Sequence, residues 1–131
     1  AEEEMERGAD DFSVWALDYV KDLSGLYKLA LEDEDGMSRT KIFAEINLLA
    51  LELRGQGGTF GYPLITTFGK MLYDATVEGC REDDNAVGIV KSHVDAMRAV
   101  LREKVEGDGG EIGRALLSSL VLAIEKNQIV V

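Results

Sequence analysis

The sequence predicts an all-α domain: an antiparallel up-and-down four-helix bundle with an additional N-terminal helix. Three observations carry this expectation. The chain of 131 residues holds a single proline, and long stretches are rich in Ala, Leu, Glu, Lys, Arg and Met, the strong helix formers. Apolar residues recur at spacings of three and four, which places them on one face of a helix. Five such segments are separated by short turns built from Gly, Asp and Ser, and short connections favour antiparallel neighbours. With 46% hydrophobic and 30% charged residues, the chain reads as one soluble domain spanning residues 1–131, large enough to bury a core.

The first helix is expected from about Asp10 to Leu26, with Asp10 or Asp11 as its cap. Phe12, Trp15, Ala16, Tyr19, Val20 and Leu23 form its apolar face. The run Glu32-Asp33-Glu34-Asp35-Gly36 reads as an acidic turn, and Ser38 as the N-cap of a second helix reaching Gln56. Ile42, Phe43, Ile46, Leu49, Ala50 and Leu53 line that helix's inner side, and Gly57-Gly58 ends it. Pro63 suits the first turn of a third helix, where a missing N–H costs nothing. Leu64, Ile65, Phe68, Met71, Leu72 and Ala75 share one side of it, and it is expected to end near Gly79. Asp83-Asp84-Asn85 caps a fourth helix with the stripe Val87, Val90, Val94, Met97 and Leu101, continuing to Val105. After the turn Gly107-Asp108-Gly109-Gly110, a fifth helix is expected to bury Ile112, Leu116, Leu117, Leu120, Val121 and Ile124. Helices two to five would form the bundle, with the first across one end or side.

Charge narrows the function. Fourteen basic against 25 acidic residues give a net charge of −11, which repels nucleic-acid phosphates and anionic lipid. No nucleic-acid or membrane binding is expected, and a partner with a basic patch is favoured. Cys80 is the only cysteine, so no internal disulfide and no thiolate metal site can form. No apolar run reaches the length of a membrane span, and the acidic start Ala1-Glu2-Glu3-Glu4 does not read as a signal peptide. A cytoplasmic protein without cofactors is the expectation. The acidic turn lacks the ligand spacing of a calcium loop, and the Gly107–Gly110 turn lacks the Lys-Ser/Thr of a phosphate loop. Ser118 and Ser119 have no triad partners at a telling spacing.

Residues 51–61, Leu51-Glu52-Leu53-Arg54-Gly55-Gln56-Gly57-Gly58-Thr59-Phe60-Gly61, carry the most information. They resemble the signature of histidine phosphotransfer (HPt) domains, H-x-L-K-G-x-x-x-x-x-G. Leu53, Arg54, Gly55 and Gly61 match, with Arg54 a conservative change, and Leu51 stands where the family carries its phospho-accepting histidine. The resemblance implies a phosphorelay scaffold whose partners are a response-regulator receiver domain or a histidine kinase. It implies that Arg54 can balance phosphate charge, that Gly55 keeps the docking surface open, and that Gly58 and Gly61 shape the helix end. A leucine cannot accept a phosphoryl group, so a degenerate, non-enzymatic member is expected.

Helical phase refines this. At about 100° per residue, Leu48, Leu51, Glu52 and Gly55 share a face away from the core stripe. Leu48 and Leu51 should therefore project side by side where an HPt domain docks its receiver. The expected partner-binding set is Leu48, Leu51, Glu52, Arg54, Gly55 and Gly58, with no metal. Two alternatives stand beside this reading. His93, the only histidine, could serve as a relocated phospho-acceptor, although its phase makes it a boundary residue. The chain could instead be a structural or oligomerisation bundle, including a homodimer through the Leu48/Leu51 face.

Overall fold

The computed structural model describes residues 2–33 and 37–128. They are all-helical: α1 (Glu2–Glu32), α2 (Arg39–Gln56), α3 (Pro63–Ala75), α4 (Asp84–Arg102) and α5 (Gly110–Gln128), with one 3₁₀ turn at Gly58–Phe60. No helix among the described residues is long and apolar enough to cross a membrane. Glu34-Asp35-Gly36, the centre of the expected acidic turn, lies outside the described residues.

α1 is longer than its apolar stripe suggested and begins at Glu2, so Asp10 and Asp11 are interior residues and not caps. Its apolar face continues past Leu23 through half-buried Leu26 and Tyr27 to buried Ala30. α3 is shorter than expected and stops at Ala75. The Thr76 hydroxyl donates back to the Leu72 carbonyl at 2.8 Å, and the Asn47 amide of α2 donates to the Tyr73 carbonyl at 3.0 Å. These side chains satisfy carbonyls that the helix end exposes. Ser38 stands before α2, but its side chain makes no capping bond. Its N–H instead donates to the Asp33 carboxylate at 2.7 Å. Asp83 does cap α4, accepting from the Ala86 N–H at 2.8 Å.

The helices contact one another in a ring: α1 against α2, α2 against α3, α3 against α4, and α4 back against α1. α5 lies against α4. The expectation that helices two to five enclose the core therefore needs correction. α1 supplies Phe12, Ala16, Val20, Leu23 and Ala30 to the buried cluster, whereas α5 supplies Leu120. Ile112 is 61% exposed and Val121 39%, and Leu116, Leu117 and Ile124 are only partly buried. A helix resting on one neighbour covers a narrow strip, while a helix in the groove of two covers a broad one.

One polar side chain binds three segments together. Arg39 at the start of α2 is buried, and its Nε donates to the Ala30 carbonyl of α1 at 3.0 Å. Its other nitrogens reach the Glu82 carbonyl and the Asp84 carboxylate at the entrance to α4, each at 2.9 Å.

Candidate functional site

The surface of interest is built from the close packing of α2 on α3. Gly69 of α3 makes that approach: a Cβ there would stand 2.8 Å from the Arg54 nitrogen and 3.2 Å from the Ala50 carbonyl oxygen. With α3 this near, Ala50 and Leu53 are fully buried. The helical period then turns the residues between them outward. Leu48 is 64% exposed and Leu51 45%, on the face their phase indicated, with Glu52 and Gly55 exposed beside them. The protein's own first helix does not cover them. Leu48 and Val77, itself 39% exposed, both line a shallow depression between α2 and the turn after α3. Glu78 and Glu82 also line this depression, and Glu45 and Glu52 flank the two leucines along α2.

Gly55 differs from its neighbours in having no local reason to be glycine. It lies within α2, its φ is not positive, and a Cβ there would meet nothing within 4 Å. Glycine in a helix interior costs about 1 kcal/mol relative to alanine.

Arg54 is partly buried and lies over the Tyr73 ring of α3, its Cζ 5.4 Å from the centroid. That is within cation–π range, so the guanidinium packs on α3 and is not free beside Leu51. Gly58 is exposed, and its N–H donates to the Thr66 hydroxyl at 2.7 Å. The tight part of this turn belongs to its neighbours. A Cβ on buried Gly57 would stand 2.7 Å from both the Thr66 nitrogen and the Tyr62 carbonyl oxygen, and Gly61 has φ +90°. From the sequence Gly57 reads only as a helix terminator. Its steric role depends on α3 folding back across it, which no local pattern announces.

His93 is corrected from a boundary residue to a buried one, 1% exposed. Its Nδ1 lies 2.7 Å from the Ile89 carbonyl, an acceptor only, so Nδ1 carries the proton and donates. Nε2 is buried without a partner among the described residues. Burial pushes the imidazole below its ordinary range, and the bond to Ile89 opposes this. The ring is thus closed off from solvent. Cys80 is half-buried, and burial raises its thiol pKa, with Glu82 adding to the effect. Such a thiol is a poor nucleophile. Among the described residues no group of three or more His, Cys, Asp or Glu side chains is placed to hold a metal ion.

Comparison with protein-family models, with curated proteins and with solved structures gives no match for this chain.

Proposed function

We propose that the chain is a degenerate HPt-like module that binds a response-regulator receiver domain or a histidine kinase through α2 and does not itself accept phosphate. The observation that carries this reading is the α2 surface. Leu48 and Leu51 are exposed next to a glycine that the fold does not require. A bare helix face at Gly55 lets a partner's backbone approach closely, and exposed apolar residues with a charged edge suit an interface core and rim. The carboxylates of Glu45, Glu52 and Glu78 would face a partner with a basic rim. The ring of helices supports the finer architecture, an up-and-down bundle, with α2 exposing Leu51 and Gly55 of the motif. Leucine has no lone pair to attack phosphorus, and the lone imidazole is buried. Occupying a receiver without relaying phosphate would damp or redirect a signal.

The test is titration of the chain with a panel of purified receiver and kinase domains. Leu48→Asp and Leu51→Asp should retain helicity, because both positions are exposed, and each should weaken binding by about tenfold or more. Affinity unchanged by both substitutions would overturn the assignment. Concentration-dependent dimerisation abolished by Leu51→Asp would assign the face to self-association instead.

A further inference from the structure

A second surface carries charge of the opposite sign to the chain as a whole. α1 and α4 run antiparallel: Asp10 near the start of α1 pairs with Lys104 just beyond α4 at 3.7 Å, and Tyr27 lies near enough to Lys91 to act on its charge. Between them runs a groove of about 950 Å³. Lys21 and Lys28 line it from α1, and Lys91, Arg98 and Arg102 from α4. Among the described residues, the carboxylates in the lining are Asp18 and Asp95. Five cations against two carboxylates leave the groove positive by three, in a chain whose net charge is −11. Asp95 is already shared, 2.7 Å from Lys91 and 3.3 Å from Arg98. Lys21, Lys28 and Arg102 have no ion pair within the groove among the described residues.

The shape is that of a trough with an apolar floor. Leu17, Val20 and Val94 lie at its base, and Gly25 leaves it open on one side, with nothing within 4 Å of a Cβ. The spacing of its charges selects the occupant. Lys21 and Lys28 stand about 10 Å apart along α1, and Lys91, Arg98 and Arg102 are separated by about 10 and 6 Å along α4, at 1.5 Å rise per residue. A compact phosphate reaches one or two of these groups. A nucleic acid, with a charge every ~1.7 Å of duplex, brings far more negative charge than three net positives can balance on an acidic protein. Carboxylates three, four or seven residues apart on a helix repeat at about 5–10 Å and match the cations on both walls. We infer that the α1–α4 groove docks an acidic amphipathic helix of a partner protein, its apolar stripe on the floor and its carboxylates against the lysines and arginines of the rims. α4 does not border α2 in the ring, so this site is separate from the Leu48/Leu51 face and stands whether or not that face binds a receiver.

The probe is a fluorescein-labelled helical peptide of about five turns, with Glu at three- and four-residue spacing flanking a Leu/Ala stripe. The expected result is saturable binding, lost on replacing each Glu by Gln and weakened by added salt. Lys21→Glu, Lys28→Glu and Arg102→Glu should each weaken binding by about threefold, and by more than tenfold together, with the melting temperature nearly unchanged. Leu51→Asp should leave peptide binding intact, which separates this site from the α2 surface. Equal binding of the Gln peptide, or indifference to the triple charge reversal, would overturn the inference. So would tighter binding of tripolyphosphate or an oligonucleotide in competition with the peptide.

Discussion

Substituting two glycines by alanine should move stability in opposite directions. At Gly69 a new methyl group would stand 2.8 Å from the Arg54 nitrogen, 3.1 Å from its Cα and 3.2 Å from the Ala50 carbonyl oxygen. All three are backbone atoms of α2, so no side chain can swing aside. α3 must withdraw by roughly half an ångström, loosening the contacts of Ile65, Phe68 and Leu72, each fully buried. Overpacking costs about 1–3 kcal/mol, and a clash with backbone atoms alone belongs to the upper part of that range, about 2–3, while the helix propensity of alanine returns about 1. The net expectation for Gly69→Ala is a loss of about 1–2 kcal/mol, a fall of about 4–8 °C in melting temperature for a domain of this size. Gly55→Ala meets open space, so only the propensity gain remains: about 1 kcal/mol, or about 4 °C upward. Circular-dichroism melts and urea titrations of the two variants beside the parent measure both. A Gly69→Ala protein as stable as the parent would refute the close approach of α3 on α2. A Gly55→Ala protein less stable than the parent would mean that this glycine serves the fold, and would weaken the case for α2 as a docking face.

Other consequences can be checked on the same instruments. Gly57→Ala should cost about 2 kcal/mol, since its Cβ would collide with the Thr66 nitrogen and the Tyr62 carbonyl oxygen at 2.7 Å; an unchanged urea midpoint would contradict that geometry. Arg39→Ala should cost about 2–3 kcal/mol, mainly by leaving the Ala30 and Glu82 carbonyls without their charged donor. The Asp84 partner contributes little, because its side chain is 90% exposed, so Asp84→Asn should cost well under about 1 kcal/mol. Because burial lowers the native pKa of His93, the unfolded chain binds its proton more tightly. That contribution to stability is complete above the ordinary imidazole range and is lost as pH falls through it towards the lowered native value. His93→Leu removes the titration and the buried Nε2, which has no partner among the described residues. It should therefore gain on the parent between pH 8 and pH 5, and a midpoint difference independent of pH would show the imidazole to be solvated.

Local chemistry announced the features that depend on a few adjacent residues. The Asp83 cap, Pro63 in the first turn of α3, the end of α2 at Gly57 and the outward phase of Leu48 and Leu51 all follow from turn residues and a 3.6-residue period. The bounds of α1 did not, because Glu2-Glu3-Glu4 offers no apolar period to extend, although glutamate is a good helix former. Which four helices close the ring was hidden for another reason. α1 and α5 both carry an apolar stripe, and the stripe does not say whether one neighbour or two will cover it. Nothing local to Arg39 announces its role, because its acceptors come from the end of α1 and the entrance to α4, away from it in sequence. The groove was masked by averaging. A net charge of −11 conceals three positive charges gathered where two helices distant in sequence meet.

Incubating the chain and its Leu51→His variant with phosphorylated receiver domains puts the central proposal to its sharpest trial. An imidazole at position 51 would occupy a site where the leucine is 45% exposed, with bare helix at Gly55 one turn away. Leu48→His, on the same face and 64% exposed at present, is the control for indiscriminate labelling of a surface histidine. The expected result is acid-labile phosphate on Leu51→His alone, from a receiver that also binds the parent. Phosphate on His93 of the parent would contradict the proposal, as would a Leu51→His protein that binds such a receiver yet never takes up its phosphate.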